Sequence, residues 1–475
     1  MSSLNKVNFK VCDITPEQEV TFKKGESGQG DDGTKAESIV SKITEINYYE
    51  DILSPAVTCY LRVSDTTNLI SRLPLRGYER VDLAVQTSNG WLEFMTGESR
   101  NGGGNQDNPL YVTGIEDVSK NESQEVFVIC LSSLQNLMNE TVRCQQRFKS
   151  AEISTHVETI LKEVLMVPED RIDVERSITK YEFIGNTRKP FYLATWLCPK
   201  AAPATTGQVG GTSGFLFYED IDGYKFRSID NMIATTENVD PKFLKSKDGE
   251  APKIETYTFT TAIDGADQES NNHKIIHHYI DKTTNIQKNL RVGLYSNLTY
   301  FFNPLDWSTN VIHHKLKDEL DNDGMKTAGD AGGDTVPIPK GDISSYASRL
   351  LVRVGDRGML GPSLEEQDDD GKPADSGRSD SDMARAFSRY TLLFTQSLNI
   401  TVPCNIRLRA GAVIKIVVPE SGPTDSNNSG KAENKSVDTE LSGFYLIRSL
   451  RHHFELSEGK NVTALNLIRD SFGLN

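Results

Sequence analysis

The histidines of this chain come closer to a metal-site pattern than any of its other residues. They stand as His277-His278, His313-His314 and His452-His453, with His156 and His273 apart. Neighbours on a strand face opposite ways, so an adjacent pair cannot close on one ion. His273 and His277 would share a face only on a helix, and the run HKIIHHYI reads as a strand. No HExxH is present. The stretch Glu319-Leu320-Asp321-Asn322-Asp323-Gly324 resembles the first half of a calcium loop. It opens on Glu rather than Asp, and Asp330 would stand where such a loop needs a bidentate Glu. It reads as an acidic solvated loop, as does Asp368-Asp369-Asp370. No GxSxG, Walker loop or GxGxxG after a strand occurs, and Gly102-Gly103-Gly104 reads as a turn. Carboxylates are too numerous for one acid/base pair to be singled out, and Glu219 and Asp220 adjoin a turn. Trp91, Trp196 and Trp307 are too scattered for a sugar platform. No catalytic, cofactor-binding or metal-ligating residue is therefore assigned, and no cofactor is expected.

The composition is that of a folded, acidic chain. It has 475 residues, 37% hydrophobic and 25% charged, with a net charge of −15 and a mean hydropathy of −0.45. At roughly 100–200 residues per domain, this length predicts several domains. A field of that sign repels nucleic acid rather than gathering it, and the basic residues form no stripe. Six cysteines, Cys12, Cys59, Cys130, Cys144, Cys198 and Cys404, include no CxxC pair. They read as buried free thiols of a reducing compartment rather than as a disulfide framework. The N-terminal residues lack an apolar h-region, so no secretory signal is expected. No apolar run nears the roughly 20 residues of a membrane helix. The triplets at Asn139 and Asn297 are then chance matches to a glycosylation motif.

The elements that must position any site are mostly strands. Alternation of period two runs through Val7, Phe9 and Val11, through Val57 to Val63, and through Val81 to Val85. The run from Glu125 to Leu131 is apolar on both faces and reads as a central strand. Asp222-Gly223 between two apolar runs predicts a tight hairpin. Leu398, Ile400, Val402, Cys404, Ile406 and Leu408 alternate most cleanly, with Pro403 marking an edge or bulge. With Ala412 to Val418, Phe444 to Phe454 and Val462 to Ile468, they predict an antiparallel meander. Helices are few. Ile153, Val157, Ile160, Leu161, Val164 and Leu165 form an apolar stripe, with Thr155 and Glu158 as its capping box. A second helix starts near Pro190 and carries Phe191, Leu193 and Trp196. A third carries Met383, Phe387, Tyr390 and Phe394, again read as a core stripe. Polar or Gly-rich connections are predicted at 25–35, 100–109, 199–214, 318–334, 361–382 and 421–440.

The order of these segments resembles a known family. The chain opens with VNFKVCD and SIVSKITEINYYEDILSPAVTCYLRVSD, then LYVTGIED and EVFVICLSSLQNLMN. STHVETILKEVL, RKPFYLATWL and GFLFYEDIDGYKFRSI follow. DMARAFSRY leads into SLNITVPCNIRLRAGAVIKIVV, and GFYLIRSLRHHFE with NVTALNLIRDSF closes the series. This order is similar to that of the central baseplate hub protein of contractile-tailed myoviruses. The tube-like domain of that family is shared with type VI secretion spikes. The resemblance covers roughly the first 270 residues and the last 90, and its middle, 271–386, matches nothing named. It implies a mainly β fold with a few helices (α+β), built as two tube-like antiparallel β-barrel domains. The first would be 1–120 with roughly 230–270, and the second 121–230 with roughly 387–475. The segment 271–386 would be an inserted peripheral region with acidic flexible loops.

The same resemblance implies a structural function without catalysis. A homotrimer would form a pseudo-sixfold ring joining the cell-puncturing spike, or needle, to the tail tube or its initiator proteins. It would contact other baseplate proteins, and an acidic lumen would let DNA pass without specific binding. It would sit in the virion tail baseplate after assembly in the host cytoplasm, with no membrane anchor. Its interface residues stay unassigned. The sequence leaves two alternatives open: another tail component, such as a tube initiator or receptor-binding part, and a tail-associated peptidoglycan hydrolase.

Overall fold

A computed structural model describes residues 7–15, 37–72, 75–88, 90–98, 105–204, 213–233, 254–259, 272–281, 286–302, 307, 309–321, 327, 337–338, 341–354, 378–419, 437–455 and 461–472. The expected connections at 25–35, 100–104, 205–212, 322–326, 328–334, 361–377 and 421–436 lie outside them, and so do Gly102–Gly104, Asp323, Gly324, Asp330 and Asp368–Asp370. The fold is mainly β with a few helices, as the alternation predicts.

Among the described residues, fourteen strands join in one sheet. Its path starts at His277–Asp281 and passes through Gln396–Pro403, Val462–Arg469 and Gly443–Glu455. It continues into Ile43–Asp51, Thr58–Asp65, Glu125–Ser133, Leu110–Lys120, Arg80–Thr87, Asn8–Thr15 and Glu37–Ser38. Gly90–Phe94 flanks Arg80–Thr87, while Val413–Val417 and Thr256–Thr258 flank the start of Gly443–Glu455. The inward residues gather into separate cores. One holds Cys12, Ile46, Leu61, Leu83, Phe94 and Phe127. A second holds Tyr257, Ile400, Ile416, Tyr445 and Leu467. A third, mixed α/β unit packs Val157, Leu161, Phe191, Phe217 and Phe226 between helices and the hairpin Phe215–Asp220/Gly223–Ser228. Full burial of such a side chain is worth about 1.5–3 kcal/mol, which is why the alternating strands close over their apolar faces.

One strand links the first two cores. Gly443–Glu455 pairs at its start with Val413–Val417, Gly443 opposite Ile416. From Ser449 to Glu455 it pairs with Asp51 to Glu45. Val462–Arg469 runs along its other edge, with a register shift between Ile447 and Ser449. The sheet therefore passes from one core to the next without a break in its hydrogen bonding.

Several details differ from the sequence expectation. Glu125–Ser133 is central, between Thr58–Asp65 and Leu110–Lys120, so it belongs to the first β unit and not to the second. Thr256–Thr258 pairs in parallel with Val413–Val417, in the second unit rather than the first. His277–Asp281 pairs with Gln396–Pro403, so the start of the expected insert is an edge strand of the second unit. The rest of the described insert holds a three-stranded sheet, Thr309–Lys315, Ser296–Phe302 and Arg349–Val354. The C-terminal strands are no simple meander, because Gln396–Pro403 lies beside Val462–Arg469. Pro403 ends its strand and lacks an N–H to carry the ladder on. The chain then crosses over, and Cys404 and Ile406 enter the first core.

The helices show the same mixture. Ile153–Thr159 begins before Thr155, at N-cap Glu152, so Thr155 and Glu158 form no capping box. Its first N–H groups are already taken: Ile153 donates to the Thr179 carbonyl (3.0 Å) and Ser154 to Ser177 Oγ (2.9 Å). The helix runs on through a π turn at Ile160–Val164, and Ile153, Val157, Ile160, Leu161 and Leu165 are buried as the stripe predicts. Pro190–Leu197 carries its proline in the first turn and buries Phe191 and Leu193. In Arg378–Leu392 the expected stripe is only partly buried, with Tyr390 packed on the core. Met383, Phe387 and Tyr390 are half-buried and Phe394, beyond the helix end, is exposed. The helix is buried on more than one side, at Asp382, Ala384, Ala386, Ser388, Arg389 and Leu392. The Asp222-Gly223 hairpin forms, with Ile221 and Asp222 in its turn and Gly223 opposite Asp220. Gly223 has φ +131, and a Cβ there would stand 2.2 Å from the Arg171 carbonyl oxygen, so glycine is required.

Candidate functional site: a polar face across the join

The outward residues of the joined strands line a groove of about 820 Å³. Strand register sets them in rows. One row runs Tyr279, Asn399, Asn466, Ser449, Asp51. The next runs His277, Thr401, Ala464, Arg451, Tyr49, Thr58. A third places His453, Asn47 and Tyr60 side by side. The face therefore crosses both β units through the shared strand.

A hydrogen-bond network fixes it. Asn466 donates to Asn399 Oδ1 (2.8 Å). Arg451 Nε donates to Asn47 Oδ1 (2.8 Å), which also lies 2.8 Å from His453 Nδ1. Asn47 in turn donates to Glu45 (2.6 Å). Glu45 stands 3.6 Å from Arg451 and 3.8 Å from Arg62. The Arg451 guanidinium lies 5.8 Å from the Tyr49 ring centre, and Tyr49 meets Tyr60 edge to face at 5.7 Å. Asp51 accepts from the Leu53 N–H (2.8 Å). The face mixes both signs: Glu45, Glu455 opposite it, Asp51 and Glu116 near Tyr60 stand with Arg62 and Arg451. It can present hydrogen-bonding groups to whatever lies in the groove.

The histidines are dispersed by this architecture. His453 joins the polar face, while its neighbour His452 is buried, stacked on Tyr48 and 2.9 Å from Thr463 Oγ1. Burial pushes the His452 imidazole down to about 3. His277 and His278 sit exposed on the edge strand. His313 lies 2.8 Å from Ser296 Oγ, and His314 is buried beside Glu319 (3.5 Å). His156 donates from Nε2 to the Tyr181 carbonyl (2.6 Å), and the His273 ring is 5.6 Å from that of Tyr257. Glu319, which opens the calcium-like stretch, is buried in Leu316–Asp321 and held by Arg385 (2.8 Å). Among the described residues, no group of three His, Cys, Asp or Glu side chains stands close enough to share an ion. All six cysteines are free and buried, as expected. Burial pushes their thiols up, Cys130 to about 11 and Cys404 to about 12.

Sequence reasoning missed the carboxylates inside the sheet. Glu219 is buried, accepting from Ser133 Oγ (2.8 Å) and the Val57 N–H (3.1 Å), with Arg171 at 3.5 Å. Burial, the largest influence, raises its carboxyl despite Arg171. The readable signal was parity: the alternation that turns Ile46 and Tyr48 inward turns Glu50 inward as well.

No family model matches the chain. Over 247 residues, 50% of the chain, it is 24% identical to the probable baseplate hub protein gp334 of Vibrio phage KVP40. The chain spans about half the length of that curated relative, 54% of which is matched. In three dimensions it is similar to the tail protein of Neisseria meningitidis MC58, with a TM-score of 0.50 and 10% identity over 98% of this chain and 99% of that one. The chain has a tail-protein fold. The 43 kDa tail protein of prophage MuSo2 from Shewanella oneidensis aligns over 97% of this chain and 99% of its own length, at 8% identity and a TM-score of 0.46. In this tail-protein fold, among the described residues, no helix is long and apolar enough to cross a membrane.

Proposed function

We propose that this chain is the structural hub of a phage contractile-tail baseplate. In this reading it is a trimer whose pseudo-sixfold ring joins the spike to the tail tube and lets DNA pass. The observation that carries the reading is the shared strand Gly443–Glu455, which welds two β units into one wall per subunit. Three such subunits present six wall segments, and closed cyclic symmetry limits assembly to the ring. The likeness to a probable baseplate hub protein and the tail-protein fold support it. A structural role without catalysis fits the carboxylates too: Glu219 is held by a backbone N–H and hydroxyl in the interior rather than poised in the groove.

The mass of the purified chain, measured by light scattering with and without a co-expressed spike protein, tests the reading. The expected result is three times the 52.8 kDa of the chain and capture of the spike. A monomer that degrades peptidoglycan overturns it.

The polar face is the wall this reading places toward the channel. Substituting Asn399→Lys and Asn466→Lys is therefore expected to make the assembled ring retain DNA, with retention falling steeply as salt rises. Retention unchanged from the parent in a DNA pull-down at low salt would remove this face from the channel.

A further inference from the structure

The three-stranded sheet of the insert puts more of its apolar side chains outside than inside. Thr309–Lys315, Ser296–Phe302 and Arg349–Val354 turn one face toward the helix Arg378–Leu392. That inward face mixes Phe301, Ile312 and Leu351 with Asn297, His314 and Arg349, and its polar members hold it to the helix. Asn297 donates to Ser388 Oγ (3.2 Å), and the Arg349 guanidinium lies 5.4 Å from the Phe387 ring centre. His314 stands against Glu319, which Arg385 holds in turn.

The outward face is the more apolar one. Register sets it in rows: Leu350 beside Leu298, Val352 beside Tyr300 and Val311, Val354 beside Phe302. Trp307 extends the last row, its ring edge to face with Phe302 at 5.7 Å. Leu350 and Val354 are 64% exposed, Val352 78% and Trp307 79%. A sheet with one wet face ordinarily keeps its apolar residues on the other. Of the 18 exposed large apolar side chains among the described residues, eight lie between 286 and 354, so the exposure gathers on the insert. A contiguous patch of that kind marks a contact surface.

Area and charge indicate what covers it. Three strands about 4.8 Å apart and about 3.3 Å per residue give the face roughly 300 Å². A protein binding on its own needs roughly 800 Å² on each side. The face is therefore too small to recruit a free partner. It suffices for a subunit already held by another contact, because the second contact then forms within one assembly. The chain carries −15, yet residues 286–354 hold eight basic and eight acidic side chains. A second acidic copy is repelled by the rest of the surface and not by this stretch.

We propose that the outward face of the insert sheet is a contact between copies of this chain, packing on the neighbouring subunit of the ring. The inference rests on the trimer of the proposed function and adds a contact outside the shared-strand wall. Under cyclic symmetry it is heterologous: each face meets a different surface of the next copy, and the contact recurs in every subunit until the ring closes.

Light scattering across a dilution series of the full chain tests it. Val352→Asp changes an exposed position and leaves the fold in place, but sets a carboxylate in the closed contact. It is expected to raise the concentration at which the trimer half-dissociates by about tenfold or more. Ile184→Asp, at a 48% exposed position of the α/β unit, is the charge control and is expected to dissociate as the wild type does. Acrylamide quenching gives a second readout. Trp307 is expected to be shielded in the trimer and open in the monomer, and Trp307→Phe to remove that difference. Dissociation of Val352→Asp at the wild-type concentration overturns the proposal, and so does an equal loss in Ile184→Asp. A trimer in which Trp307 stays open sinks this contact alone and leaves the face to a different protein. A wild type that is monomeric at every concentration sinks the hub reading, and the contact with it.

Discussion

Replacing Arg389 with alanine is expected to cost about 3–5 kcal/mol of stability, read as a lowered midpoint in urea unfolding. The guanidinium is fully buried and bridges two carboxylates, Asp230 at 2.9 Å and Asp470 at 2.8 Å. Those partners come from different places: Asp230 from the short helix Ile229–Ile233 of the α/β unit, Asp470 from just beyond the last strand. Arg389 itself lies on Arg378–Leu392. Its removal leaves two acids in a dry interior with their shared cation gone, and no side chain of alanine can refill the volume. The desolvation argument also predicts the rescue. A triple substitution, Arg389→Met with Asp230→Asn and Asp470→Asn, should recover part of the loss, because both acids lose their charge with the cation, although the buried Arg469 then loses the favourable charge of Asp470. A loss below about 1 kcal/mol in the alanine variant would mean that water reaches the carboxylates.

Phe454→Ala is expected to be comparably severe, about 3–5 kcal/mol. The ring is fully buried in the core of the first β unit, beside Ile46, its cross-strand neighbour, although its strand begins in the second. The substitution removes an aromatic side chain from a site that cannot collapse, since sheet hydrogen bonds hold both flanking strands. Leu53→Ala is the matched control: Leu53 is 48% exposed and its truncation should change stability by less than about 0.5 kcal/mol. If both variants unfold with the wild-type midpoint, the shared strand is not integral to the first core.

How much of this was legible in the sequence depended on whether the signal was local. Alternation identified Thr58–Asp65, Arg80–Thr87 and Gln396–Pro403, because a half-buried strand writes its own period. The double-sided apolar run at Glu125–Ser133 gave away a central strand. Opposed parity separated His452 from His453 before any coordinates did. Pairing was not legible, because nothing in Ile43–Asp51 announces that its partner is Ser449–Glu455. Two strands that alternate equally well are equally good partners until the whole core closes. The run from Leu398 to Leu408 looked like one strand, since Cys404 and Ile406 keep the period while entering a different core. The helix Arg378–Leu392 was misread for a related reason. Large apolar residues draw the eye, yet most fully buried positions of this helix are small or polar: Asp382, Ala384, Ala386, Ser388 and Arg389. The polar face was invisible as a site, because Asn47, Arg451 and His453 become neighbours only across the join.

The shared strand also sets a clock. Asn47 and Arg451 are 404 positions apart. At about 5–20 residues per second, a ribosome needs roughly 20–80 s to make the second after the first. Through that interval the first unit has its strand Ile43–Asp51 without the neighbour that finally covers it, an unpaired sheet edge of the kind that recruits foreign strands. Nascent chains would be most vulnerable to mispairing and most in need of a holding chaperone in that period. Self-association through the finished wall becomes available only after the late strand docks.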